Sequence, residues 1–151
     1  MNAVFRKLQF KDQSSILVSK APSEFKGALD EMKGLTRIVT RSGKSRHPFV
    51  LCFVRNCAEL AKAAPSAVAS VEDDGLLWFA YPKKSSKRYE SDIGRDDSWQ
   101  PLGDLGYEGV RMIAIDEDWS ALRLRRVEFI KTMKRDPKRA MTAKGKKRTR
   151  R

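Results

Sequence analysis

Apolar residues fall into short blocks divided by polar, glycine- or proline-bearing stretches, and the blocks alternate between strand and helix periods. Ser14–Ser19 is a β-branched run closed by Ala21-Pro22, which predicts a first strand. Phe25, Ala28, Leu29 and Met32 then recur at helical spacing. They predict a helix over Glu24–Met32, capped by Ser23 and stopped at Gly34. Thr36–Thr40 predicts a second strand, followed by a polar loop over Arg41–Pro48. Phe49–Val54 is apolar on both faces, as a central strand of a parallel sheet must be.

Asn56 is placed to cap the next helix, with Glu59 in the capping-box position three residues on. Leu60, Ala61, Ala64 and Val68 continue that helix, and Pro65 is expected to bend or restart it. Asp73-Asp74-Gly75 reads as a turn into a fourth strand, Leu76–Tyr81, stopped by Pro82. Lys83–Asp97 is a polar loop, and Ser98–Leu105 holds a short helix despite Pro101 and Gly103. Gly109–Ile115 is a fifth strand, and the acidic turn Asp116-Glu117-Asp118 leads from it to Leu122–Phe129 in an antiparallel hairpin. The alternation predicts a small Rossmann-like α/β domain, with a mostly parallel sheet, helices on both faces and an antiparallel hairpin at the end. Many class I methyltransferase-like sheets close in this way, which is a likeness of fold and carries no activity.

Charge divides the chain in two. Residues 131–151 carry eleven Lys or Arg against one acid, a local net of +10; the 151-residue chain is +13, which leaves +3 for residues 1–130. The sequence therefore predicts a domain over 1–130 and a disordered basic arm over 131–151 that lacks the apolar residues to fold. Lys134, Arg135, Lys138, Arg139, Lys144, Lys146, Lys147, Arg148, Arg150 and Arg151 are its candidate contacts to nucleic acid, without sequence preference, or to an acidic partner. No apolar run approaches the roughly 20 residues that span a bilayer, and Met1–Phe10 lacks the core of a signal peptide. No membrane partner is expected, and a cytoplasmic location is. Cys52, inside an apolar run, reads as a reduced core thiol, and His47 has no neighbours at metal-ligand spacing, so no metal is expected.

Ligands of open α/β sheets bind beyond the carboxyl ends of the strands. A dinucleotide or S-adenosylmethionine site needs glycines there, yet Ser19-Lys20-Ala21-Pro22-Ser23-Glu24 has none, and Pro22 lacks an amide donor. Arg41 stands where an acidic ribose-binding residue would follow the second strand. No cofactor is therefore expected. Lys83, Lys84, Ser85 and Ser86 follow the fourth strand, as an anion pocket on one reading and a solvated basic loop on the other. Asp116 and Asp118 offer carboxylates for a cation or acid–base work, or for backbone bonds within the turn. Trp78 and Trp119 are read as buried packing anchors.

Four segments, taken in order, resemble the bacterial domain-of-unknown-function family DUF3052. They are Lys7–Lys11 (KLQFK), Ala21–Phe25 (APSEF), Leu77–Ser86 (LWFAYPKKSS) and Ala114–Arg123 (AIDEDWSALR). The resemblance spans roughly residues 5–127, departs from the family around the loop after Thr40 and at Tyr107-Glu108, and excludes the arm. It implies a small Rossmann-like domain and assigns no catalytic residue. It also makes Pro82–Ser85 and Asp116–Trp119 a recurring constellation, in which a Lys83–Asp116 or Lys84–Asp118 ion pair is as consistent as a ligand site. Two function classes follow: a non-enzymatic scaffold whose arm contacts a polyanion, or a methyltransferase-like enzyme or binder of a small anionic ligand.

Overall fold

The computed structural model of the chain describes residues 2–94 and 97–130. Within them lie helices α1 (Ala3–Lys7), α2 (Lys26–Asp30), α3 (Cys57–Ser70) and α4 (Gln100–Asp104). The strands are β1 (Ser15–Ser19), β2 (Arg37–Val39), β3 (His47–Phe53), β4 (Val71–Pro82), β5 (Tyr107–Ala114) and β6 (Trp119–Arg126). They form one sheet in the order β2-β1-β3-β4-β6-β5. The first four are mutually parallel, and β6 runs antiparallel to both β4 and β5. The last strand thus inserts between β4 and β5.

Alternation along the central strands divides the core between two faces. Ile16, Val18, Phe49, Leu51, Phe53, Trp78 and Ala80 face α1 and the α2 region, where Phe5, Leu8, Phe25 and Met32 cover them. Leu17, Val50, Cys52, Leu77 and Phe79 face Leu60, Ala64 and Ala67 of α3, with Trp99 and Leu102 beside them. Both faces being covered, β3 is apolar from Pro48 to Phe53, as a central strand requires.

Local chemistry explains where the elements depart from the sequence pattern. Asn2 caps the short α1, accepting from the Val4 and Phe5 amides at 2.8 and 3.3 Å, in a segment to which the pattern assigned nothing. The Glu24–Met32 region begins as a 3₁₀ turn at Ser23–Phe25, and Ser23 makes no cap. Helix α2 ends at Asp30, four residues before Gly34, with Glu31 as its C-cap; Gly34, at φ +84, lies in the turns that follow. Asn56 accepts from the Glu59 amide at 2.9 Å, and the Glu59 carboxylate reaches back to the Arg55 amide at 3.0 Å. Helix α3 runs unbroken through Pro65. The ring removes one amide donor, while the buried Leu60, Ala64 and Ala67 stripe holds the helix to the sheet.

Asp73-Asp74-Gly75 is not a turn between elements but an irregularity inside β4, opposite a register shift between His47 and Phe49. Asp74 takes φ +52, which aspartate tolerates, and its carboxylate grips Arg125 at 2.6 and 2.7 Å. A Cβ on Gly75 would lie 2.9 Å from Val71 Cγ2 and 3.2 Å from the Pro48 carbonyl, so only glycine fits the close approach. No helix among the described residues is long and apolar enough to cross a membrane.

Trp78 and Trp119 are both buried, at 0% and 1% exposure. Trp78 Nε1 donates to the Leu8 carbonyl at 3.0 Å and so ties β4 to the turn after α1. Replacing Trp78 by Ala is expected to cost about 3–5 kcal/mol in urea unfolding, the usual loss for a large buried aromatic. A midpoint unchanged from wild type would show that the tryptophan does not anchor the sheet.

Candidate functional site

Strand order reverses between β1 and β3, because the chain moves outward to β2 from one and to β4 from the other. The crevice beyond the carboxyl ends of those two strands is where such sheets hold ligands. Here Lys20 follows β1 with φ +57, a left-handed turn made without glycine. Lys20, Phe53, Arg55 and Glu59 line a pocket of about 170 Å³ at this point. That is well below the roughly 300 Å³ at which small-molecule sites begin. The start of α3 is also occupied: the Cys57 amide donates to Asp92 Oδ1 at 2.8 Å and the Glu59 amide to Asn56. The hydrogen bond from the Cys57 amide is the main cause that holds the Asp92 carboxyl below its ordinary pKa. A helix terminus satisfied in this way has little left to offer a phosphate.

Beside the crevice, on the α2 face, the protein fills the space itself. Trp119 packs edge-on to Phe53 at 5.1 Å and against Tyr89 at 4.9 Å, while Phe25 meets Phe53 at 4.9 Å. The Arg55 guanidinium lies over the Tyr89 ring at 5.6 Å. One carboxylate organises this stack: Glu24 Oε2 accepts from the Tyr89 hydroxyl at 2.6 Å and from Trp119 Nε1 at 3.2 Å, and it faces Arg88 at 3.4 Å.

Several of the candidates named from sequence meet here. The Lys83 amide donates to the Asp118 carbonyl at 2.8 Å, and Ser86 Oγ donates to Asp118 Oδ1 at 2.9 Å. Ser86 Oγ in turn accepts from the Arg88 and Tyr89 amides at 3.2 and 3.0 Å. Asp116 Oδ1 accepts from the amides of Asp118 and Trp119, both at 2.8 Å, the turn chemistry of an aspartate. The contact across this edge is therefore a serine–aspartate hydrogen bond, with neither a Lys83–Asp116 nor a Lys84–Asp118 ion pair. Lys84 and Ser85 are exposed, and neither Lys83 nor Lys84 lines the crevice pocket. Among the described residues no three His, Cys, Asp or Glu side chains converge as a metal site would require. The ten cations named for polyanion binding and the proposed arm, 131–151, lie outside the described residues.

A second cavity, of about 500 Å³, lies on the opposite face between α3 and the seven-residue link from β2 to β3. Because β2 and β3 flank β1 and run parallel to it, this link must pass back over β1. Ser66 Oγ on α3 meets Ser42 Oγ at 3.2 Å and fixes the link on the α3 side. Leu17, Val50 and Cys52 floor the cavity, and Lys20, Arg41 and Lys62 stand around it. Burial pushes the Cys52 thiol pKa up, against a hydrogen bond with Ser19. The sequence pattern flagged Arg41 as part of a polar, basic loop and as standing where an acidic ribose-binding residue would follow the second strand. It gave no reason to join Arg41 to Lys20 and Lys62, which come from three different elements.

No family model matches the sequence, and no curated protein matches it. Solved structures do. The N-methyltransferase NodS from Bradyrhizobium japonicum superposes with a TM-score of 0.50 at 14% identity, over 82% of this chain and 92% of that one. Phospholethanolamine N-methyltransferase 2 from Haemonchus contortus, solved with phosphomonomethylethanolamine and S-adenosylhomocysteine, gives 0.51 at 13% identity. That match covers 85% of this chain and 39% of the Haemonchus chain. The domain has the Rossmann-like fold of methyltransferases, a mostly parallel sheet closed by an antiparallel hairpin.

Desolvation would raise the Glu24 pKa, but hydrogen bonds from Tyr89 and Trp119 and the Arg88 charge outweigh it and hold the carboxyl below its ordinary 4.5. A depressed folded-state pKa stabilises the fold above the unfolded value and loses that contribution as pH falls through the folded one. Glu24→Gln is therefore expected to lower the melting temperature at neutral pH, with the gap from wild type narrowing as pH drops below 4.5. Melting curves with a constant gap across that range would mean that the carboxylate is not engaged as described.

Proposed function

We propose that this protein is a non-enzymatic scaffold with a methyltransferase fold, whose basic segment, residues 131–151, contacts nucleic acid or another polyanion. The observation that carries the first half is the crevice at the strand reversal. It holds about 170 Å³, is walled by Lys20, Arg55 and Glu59, and adjoins a stack of the protein's own aromatic rings. The eleven cations of the basic segment support the second half. They lack an interleaved aromatic, so the reading is phosphate contact without base selection. Membership of the DUF3052 family belongs to the same proposal. What supports it is that the resembling segments touch, Leu8 with Trp78, Glu24 with Trp119 and Ser86 with Asp118.

A methyltransferase-like enzyme is the second reading, favoured by the likeness of fold to proteins named as N-methyltransferases. Calorimetry separates the two. The scaffold reading expects no micromolar heat from S-adenosylmethionine, and such a heat would establish the second reading instead.

For the basic segment, filter binding of duplex DNA by the full chain should weaken steeply with salt, at a log–log slope of about 0.9 per phosphate neutralised. Six or so contacts would give about a thousandfold loss between low and physiological salt. Deleting residues 131–151 is expected to abolish this binding. Equal retention by both proteins would place the binding in residues 1–130 and overturn the assignment.

A further inference from the structure

The cavity beside α3 brings together three cations from different elements with no acidic side chain among its lining residues. Arg46, Arg88, Arg125 and Arg126 each face a carboxylate within 4 Å. Lys20, Arg41 and Lys62 line one cavity whose wall contains no Asp or Glu, and none of the three makes an ion pair or side-chain hydrogen bond within the described residues. Three like charges around one opening repel each other and raise the local anion concentration, so an anion seated there relieves the repulsion. Hydroxyls stand beside them: Thr40 and Ser42 on the link, Ser19 on β1 and Ser66 on α3. Such hydroxyls donate well to phosphate oxygens.

The floor has a different character. Leu17 and Val50 are buried apolar side chains of adjacent parallel strands, with Cys52 next along β3. At about 500 Å³ the space fits a small metabolite and is far larger than a bare phosphate needs. The crevice pocket on the other side of Lys20 is smaller, and its wall includes Glu59, whose charge opposes an anion.

We propose that the α3 cavity is a binding site for a small organic phosphate. Lys20, Arg41 and Lys62 hold the phosphate at the mouth, and the apolar part of the ligand lies on the floor formed by Leu17, Val50 and Cys52. The three cations approach from the end of β1, the link after β2 and the second turn of α3, so they surround the phosphate instead of meeting it from one side. Phosphate binding here needs neither a glycine loop nor a free helix terminus, the two devices that this chain lacks at its strand reversal.

The test is calorimetric titration of the full chain with adenosine monophosphate, glucose 6-phosphate, inorganic phosphate and adenosine. The proteins compared are wild type, the double variant Arg41→Gln/Lys62→Gln, and Lys87→Gln as an exposed cation outside the cavity. At least one organic phosphate is expected to bind wild type more tightly than inorganic phosphate does, and adenosine is expected to bind negligibly. The double variant should weaken that binding about tenfold or more, the loss of charge-assisted contacts, while Lys87→Gln leaves it unchanged. Every protein keeps residues 131–151, so binding by those cations would persist in the double variant. Equal affinity in wild type and double variant would overturn the site, as would the absence of binding by either organic phosphate. Inorganic phosphate binding as tightly as both esters would overturn the role of the floor. Both substituted side chains are exposed and unpaired, and a ligand-free melting temperature near wild type confirms that the double variant is folded.

Discussion

The Glu24 carboxylate joins two segments that lie 65 and 95 residues further along the chain, through the Tyr89 hydroxyl and the Trp119 indole. Each bond is modest by itself, since a hydrogen bond nets about 0.5–1.5 kcal/mol and one to a charged group somewhat more. What gives the arrangement weight is the set of rings it orients. With Trp119 and Tyr89 fixed, Phe53 and Phe25 have surfaces to pack on, and the carboxyl end of β3 is sealed from the α2 side. The Ser86–Asp118 bond closes the same edge from the hairpin. Of the residues that look most like an active-site cluster in the sequence, Lys83, Ser86, Asp116 and Asp118 are held in the hydrogen bonds of this edge, while Lys84 and Ser85 are exposed.

This changes what the methyltransferase fold offers here. In an open α/β sheet the strand reversal provides a crevice by topology alone, and the side chains decide whether a ligand can enter. In this chain Lys20 makes a left-handed turn without glycine, Arg55 lies over Tyr89, and Asp92 and Asn56 cap α3. Space of ligand size occurs instead where a seven-residue link joins β2 to β3 and leaves the floor of β1 and β3 beside α3 only partly covered. A short connection thus moves the concave surface from the reversal to the face of the sheet.

The strands were legible because burial on both faces demands uninterrupted apolar runs, and Phe49–Val54 and Leu76–Tyr81 have no other use. The α3 cap was legible because Asn56 and Glu59 stand at fixed offsets from the helix they open. The Asp73-Asp74-Gly75 irregularity was misread as a turn because turns and bulges draw on the same residues; only the partner strand, with its register shift at His47, tells them apart. The position of β6 between β4 and β5 could not be read from a hairpin signal, which fixes neighbours but not the side on which a hairpin docks. Asp116 was legible as a turn residue, whereas the role of Glu24 depends on contacts across half the chain. The cavity cations were illegible for the same reason: Lys20, Arg41 and Lys62 form a group only once β1, the link and α3 are in place.

The account rests on the carboxyl-end cluster being a structural lock, and a double-mutant cycle in the full chain measures that directly. Glu24→Gln and Tyr89→Phe, singly and together, should show a coupling of about 0.5–3 kcal/mol in urea unfolding at neutral pH, the range for residues that share a hydrogen-bond network. Additive effects, with no coupling between the two sites, would contradict it.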